Sequence, residues 1–368
     1  MSLLNRQMLA TAGILALTVA CSAEPEAEQT LSTAAADVAA AAAAENSAKI
    51  SDAEVVVFGT PDDAMDWLKA ENWWGEEKRE EQLEAPYAIM TGIAPRWQTV
   101  AQEITVPAKK EVFYRFMLPL VLHANKMVLQ RRERLQGLQT QLSSGNPLIE
   151  ADYAWLRGLA DILRIAPADQ DLANNAADLQ PLIEAALYKL DVLPPGLVLG
   201  QAAYESGYGT SRFAVKGNAL FGQWTYGGEG MKPQQQRASL GDHRIAAYDW
   251  PFDSVRGYYI NISAHPAYEP LRKIRAQRRA AGKPLDSIAL ADGLIRYSER
   301  GQAYVDTLKG IIRVNKLDRA DNARLRDEPM RFLVSAESAA AAPGLRKEIE
   351  DLRKSGELDS IIDRMQLE

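Results

Sequence analysis

The chain has 368 residues, 47% hydrophobic and 25% charged, which supports a sizeable core and about two domains and excludes a wholly disordered chain or a fibre. A net charge of −7 argues against a dedicated nucleic-acid binder. One cysteine excludes a disulfide framework or a Cys-rich zinc site, and His123, His243 and His265 form no tight metal spacing, so neither a metal nor another cofactor is expected.

Residues 1–20 read as an export signal. Arg6 is their only charge, and the apolar stretch 8–20 is too short to cross a bilayer. Leu17-Thr18-Val19-Ala20-Cys21 resembles the lipobox of bacterial lipoproteins, with Thr18 where Leu is preferred. The resemblance implies lipidation at Cys21, and Ser22 after it resembles outer-membrane sorting. The expectation is an exported, periplasmic lipoprotein of the outer membrane; the alternative is an ordinary secretory peptide cleaved nearby. Residues 21–50 form an Ala- and Glu-rich linker that cannot bury a core and suits a tether.

Residues 51–145 are expected to be an N-terminal, largely helical region. Its first half is mixed in pattern and carries Trp67, Trp73, Trp74 and Trp97, read as packing residues. Residues 111–142 show helical apolar spacing, with Pro119 inside and Ser-Ser-Gly-Asn-Pro at the end. Residues 146–318 hold the main domain. Helices are expected over 152–165, within 168–190, from about Gly196, and over 252–262, 271–281, 287–297 and 302–314. Residues 224–248 are Gly-, Gln- and Pro-rich, which predicts a small irregular or β lobe. The fold class is therefore mainly α. Residues 319–368 read as a charged helical tail, peripheral and without visible chemistry, ending in a helix over 345–365.

The informative stretch is Leu197-Val198-Leu199-Gly200-Gln201-Ala202-Ala203-Tyr204-Glu205-Ser206-Gly207-Tyr208-Gly209. Its helix is apolar nearly all round and should be buried. Glu205 is its one charge, and Gly207 marks the C-terminal end. A carboxyl there meets the negative end of the helix dipole and an apolar wall, and both raise its pKa. A carboxylic acid kept protonated near neutral pH is what a glycosidase general acid requires. Spacing and composition alone leave a solvated helix-end Glu equally open.

Ala202-x-x-Glu205-Ser206-Gly207-x-Gly209-x-Ser211 is followed by Lys216-Gly217-Asn218-x-Leu220-Phe221-Gly222-Gln223-Trp224, His265-Pro266-Ala267-Tyr268 and Tyr297-Ser298-Glu299-Arg300-Gly301-x-x-Tyr304. This series resembles the FlgJ-like and autolysin-type bacterial N-acetylglucosaminidases, and more closely the Bax-type glucosaminidase-domain proteins. It runs from about residue 111 to 317. The resemblance implies a lysozyme-like α fold with a small β lobe, and hydrolysis of peptidoglycan glycan strands after N-acetylglucosamine. It makes Glu205 the catalytic acid and places Tyr304, and secondarily Tyr297, in the cleft. Asn218, Phe221 and Trp224 would form a substrate-binding wall, with core packing the other reading that stays open, for Phe221 above all. The second carboxylate aligns loosely: Glu229 fits best, with Asp242, Asp249 and Asp253 competing, and Asp253 also reads as a helix cap. Either Glu229 activates water, or the substrate's acetamido group attacks and Tyr304 steadies the intermediate. A lytic transglycosylase is the rival enzyme reading, and a non-catalytic wall-binding lipoprotein is the rival from another class. Arg272, Lys273, Arg275, Arg278, Arg279 and Lys283 make a basic helix, read as a solvated face or a contact for stem-peptide carboxylates or lipid heads.

Overall fold

A computed structural model of the chain describes residues 54–74, 83–167, 169–225, 230–232 and 244–357, without the side chain of Trp224. The export signal, Cys21, the linker, Glu229, Asp242 and His243 lie outside the described residues. The chain divides into two compact units: Met1–Thr60 with Asp327–Glu368, and Pro61–Arg326.

The smaller unit is built from both ends of the chain. Strand β1 (Glu54–Phe58) pairs in parallel with a strand at Arg331–Ser335, in register Glu54 with Arg331 through Phe58 with Ser335. Val57, Phe58, Phe332, Leu333 and Val334 are buried. A helix over Ala342–Ser355 lies against β1, burying Ile349, and Arg346 Nη2 donates to the Val57 carbonyl at 3.1 Å. This corrects the reading of residues 319–368 as a peripheral appendage. A parallel pair needs a long connection between its strands, and here the connection is the whole larger unit.

The larger unit is mainly α, as expected. The expected boundary at residues 145/146 falls within it. Helix α1 (Pro61–Ala70), strands β2 (Glu84–Ala85) and β3 (Ala88–Met90) and helix α2 (Trp97–Glu103) occupy the mixed segment. Of its tryptophans, Trp73 is 2% exposed and donates to the Arg115 carbonyl at 3.0 Å, and Trp67 stacks on Phe116. Helix α3 runs over Val106–Ser143. It starts where Thr105 accepts from the Ala108 N–H and Pro107 sits in the first turn. Its apolar face packs on α5 (Ala176–Lys189) and α6 (Pro195–Ser206), the latter following α4 (Glu150–Ile162) and α5 in the chain.

Helix α6 is the centre of the unit. Ten of its twelve residues are buried, the exceptions being Tyr204 and Glu205. Around it stand α3, α10 (Ser287–Ala291), α11 (Gln302–Val314) and a 3-10 turn at Leu317–Asn322. Between α6 and α10 the chain forms α7 (Arg212–Gly217), the two-stranded antiparallel lobe β4 (Trp224–Thr225) and β5 (Arg244–Ile245), α8 (Pro251–Ala264) and α9 (Glu269–Ala280). The helix expected over 287–297 stops at Ala291 and continues as a 3-10 turn, Asp292–Leu294. There Gly293 lies so close to Leu271 that a Cβ would sit 2.2 Å from the Leu271 Cα, and the backbone follows that contact rather than the helical path.

The basic helix α9 is neither a solvated face nor an open anion contact along its inner side. Arg272 and Arg275 are 2% and 1% exposed. Arg272 donates to the carbonyls of Ile262 and His265. Arg275 donates to those of Tyr188, Lys189 and Asp191 at the end of α5, while Arg279 pairs with the Asp191 carboxylate at 3.0 Å. These guanidiniums satisfy helix-end carbonyls that would otherwise be buried without donors.

Candidate active site

Helix α6 ends at Ser206 because Gly207 takes the left-handed conformation, φ +59°, which a side chain disfavours. The Ser206 hydroxyl bridges the turn, donating to the Ala202 carbonyl at 2.5 Å and accepting from the Gly209 N–H at 2.8 Å. Beyond it Trp97 Nε1 donates to the Tyr208 carbonyl at 2.9 Å, and Lys109 and Lys110 lie over the Tyr208 ring. The last turn of α6 is thus held from both sides, and Glu205 is held with it.

Glu205 is half-buried. Burial pushes its carboxyl above the ordinary carboxylate value, and the bond from Tyr304 opposes that shift without cancelling it. Tyr304 donates to Glu205 Oε1 at 2.8 Å and accepts from Gln201 Nε2 at 2.9 Å. Gln201 Oε1 in turn accepts from the Tyr258 hydroxyl. Gln201 is one turn before Glu205 on the same helix face. Burial pushes the Tyr304 phenol up, and the neighbouring Glu205 adds to that, so Tyr304 stays a proton donor. Glu205 Oε2 faces another way: a Cβ added at Gly222 would sit 3.9 Å from it.

An aromatic frame holds this network. Tyr297 stacks on Tyr304 with centroids 5.4 Å apart, and Tyr204 meets Tyr304 edge-on at 5.6 Å. Phe221 stacks on Tyr258 at 4.2 Å, and its carbonyl accepts from the Tyr297 hydroxyl at 3.0 Å. Leu220 N–H donates to Ser254 Oγ at 3.0 Å, fixing the loop to α8. Gly222, at φ +61°, then turns the chain past Glu205.

The sequence pattern groups Glu205, Tyr304, Tyr297 and Phe221, and the structure places them in one cluster. Two expected wall residues sit differently. Phe221 is 2% exposed, so its ring offers no face to a sugar. Asn218 accepts from the Ile93 N–H at 3.2 Å and donates to the carbonyls of Tyr248 and Asp249, so its amide joins backbone segments. Trp224 opens β4. Asp253 accepts from the Trp250 N–H at 3.2 Å from the third position of α8, a capping contact made from inside the helix. His265 accepts from the Ala267 N–H at 3.2 Å, a structural role. Gln201, Tyr258, Tyr204 and Arg300 were not anticipated. Arg300 donates to the Tyr204 hydroxyl at the exposed edge of the cluster. The available sequence signal was Gln201 itself, a lone amide in an apolar helix four residues before the acid.

The arrangement is a partly desolvated carboxylic acid with one oxygen tied to a phenol and the other beside a glycine turn. Such a group can deliver a proton to a substrate oxygen. Comparison with known proteins agrees with this chemistry. Residues 180–317 match the glucosaminidase family, described as mannosyl-glycoprotein endo-beta-N-acetylglucosaminidase. The chain is 28% identical over 212 residues to Protein bax of Escherichia coli (strain K12), covering 56% of this chain and 70% of that protein. No solved structure matches significantly. Residues 180–317 are therefore similar to the glucosaminidase family, in a chain similar to a Bax-type protein over more than half its length.

Proposed function

We propose that the protein is an exported peptidoglycan hydrolase that cleaves the glycan strand after N-acetylglucosamine, with Glu205 as general acid. The observation that carries this reading is the Glu205 carboxyl: half-buried, raised in pKa, bound on Oε1 by Tyr304 and turned on Oε2 toward Gly222. Oε2 would protonate the glycosidic oxygen as the C–O bond breaks. The reaction is then completed by water activated at Glu229 with inversion, or by the substrate's acetamido group, which displaces the leaving sugar to form an oxazolinium ring that water then opens, with net retention. In the second route Tyr304, by steadying the Glu205 carboxylate, also lowers the cost of the charge left behind. Export and a lipid anchor at Cys21 fit a substrate that lies outside the cytoplasm, and two acyl chains would give stable anchoring.

The experiment is digestion of purified peptidoglycan, followed by mass analysis of the ends. New reducing N-acetylglucosamine ends, absent with Glu205→Gln, support the proposal. Anhydro-muramyl ends would make the protein a lytic transglycosylase, and intact strands would leave a non-catalytic wall-binding protein. For localisation, Cys21→Ser should move the protein from the membrane fraction to the soluble periplasm, and a wild-type protein already soluble there contradicts the anchor.

A further inference from the structure

Gln201 is 0% exposed and so is Tyr258, yet both carry polar groups into the centre of the larger unit. A buried amide held between two tyrosines needs a reason, and the direction of its bonds supplies one. An amide nitrogen can only donate, and a phenol has a single proton to give. Gln201 Nε2 lies 2.9 Å from Tyr304 Oη, so Tyr304 accepts there and its own proton is directed to Glu205 Oε1, 2.8 Å away. At the other end Tyr258 donates to Gln201 Oε1, which fixes which way the amide faces. A neutral carboxyl accepts best through its carbonyl oxygen, so with Oε1 accepting, the acidic proton belongs on Oε2.

We infer that Gln201 is a positioning residue for the acid: it commits the Tyr304 proton to Glu205 Oε1 and thereby keeps the transferable proton on Oε2, the oxygen beside Gly222. This rests on Glu205 being the general acid. In the step itself Oε2 gives its proton to the leaving oxygen, which keeps the electron pair of the broken C–O bond. The carboxylate left behind still receives the Tyr304 bond. Water supplies the hydroxyl group of the new sugar end and the proton that restores Oε2. Tyr258 acts one link further out, by holding the amide in the orientation that donates to Tyr304.

The test follows the Glu205 carboxyl carbon by NMR across pH, and kcat and KM on purified glycan strands, in wild type, Gln201→Met, Tyr258→Phe and Tyr304→Phe. Without the held donor, ionised Glu205 is less favoured, so the titration midpoint should move upward in Gln201→Met and, by less, in Tyr258→Phe. The kcat of Gln201→Met should fall about tenfold with KM within about twofold, the pattern of a misaligned acid beside an intact substrate-binding surface. Gln201→Met should add little to the midpoint shift of Tyr304→Phe, since both act through one bond. If Gln201→Met does not fold, Tyr258→Phe, which leaves the amide in place, carries the same reading. Unmoved midpoints in these variants, or a shift that adds in full to that of Tyr304→Phe, overturn the inference. Midpoints that move as described in a protein whose wild type leaves glycan strands intact would uphold the relay while removing the hydrolase reading.

Discussion

A partly desolvated acid stands at each end of helix α6, Asp321 from the neighbouring 3-10 turn and Glu205 on the helix itself, and the two differ in their partners. At the N-terminal end Asp321 accepts from the Gly196 N–H at 2.9 Å, the Ser287 N–H at 2.8 Å and the Ser287 hydroxyl. At the C-terminal end Glu205 is bonded by Tyr304 on Oε1, and Oε2 lies along the Gly222 turn. Burial raises both: Asp321 goes from its ordinary 3.8 to about 6, with its hydrogen bonds opposing, and Glu205 rises in the same direction. The helix dipole favours an anion at the Asp321 end and disfavours one at the Glu205 end. A raised pKa alone therefore does not mark a catalytic acid. Asp321 is surrounded by donors that tie three segments together, while Glu205 has an oxygen left for a substrate.

Three substitutions test that contrast, in falling order of effect. Glu205→Gln should reduce glycan hydrolysis by at least about two orders of magnitude, because the amide cannot donate an acidic proton. Its melting temperature should stay level or rise, since a desolvated acid is replaced by a neutral group of the same shape. Near-normal hydrolysis by that variant would make the two ends alike.

Asp321→Asn should behave in the opposite way. The amide nitrogen cannot accept from the Ser287 N–H, so unfolding in denaturant should show a loss of about 1–3 kcal/mol, with the rate on glycan strands nearly unchanged. The pH dependence follows from linkage. The folded pKa of Asp321, about 6, lies above the ordinary 3.8, so its contribution to stability is fully present below pH 3.8 and is lost as pH rises through about 6. The stability gap between wild type and Asp321→Asn should shrink across that window and stay flat above it. A gap that widened with pH would mean that the donors around Asp321 outweigh its burial.

Gly222→Ala is the smallest change. A left-handed residue with a Cβ costs about 1–2 kcal/mol, and the added methyl lies in ordinary contact distance of Glu205 Oε2. The hydrolysis rate should therefore fall by more than the stability loss explains, measured at a temperature where both proteins are folded. An unchanged rate would remove the Gly222 side of Glu205 as the place where the leaving oxygen arrives.

Much of the larger unit was legible because its signals are local. The helix over residues 302–314 follows directly from its apolar spacing, and α6 follows from Pro194-Pro195 at one end and Gly207 at the other. Glu205 stood out as the only charge in a buried helix, and Tyr304 through the resemblance of its motif. The missed features depend on partners distant in sequence. Arg331-Phe332-Leu333-Val334-Ser335 is a short apolar run with polar ends, but the strand it pairs with lies near the other end of the chain, and no local pattern announces that pairing. Arg272 and Arg275 read as surface charges because the carbonyls they bond belong in part to α5 and, for Arg272, to the end of α8. The Tyr258–Gln201–Tyr304 chain was invisible for the same reason: its three members come from three helices, and hydrogen-bond direction is set only where they meet.

The central claim is that one group, Glu205, is the acid whose protonation gives activity. It is tested most directly by titrating the Glu205 carboxyl carbon by NMR and overlaying the pH profile of kcat/KM on purified glycan strands. Activity should be lost as pH rises through the Glu205 pKa, because the general acid must carry its proton. The account predicts a Glu205 midpoint above the ordinary carboxylate value of 4.5 that coincides with the alkaline limb of the profile. A midpoint at or below the ordinary value, or an alkaline limb that Glu205 does not follow, would contradict it.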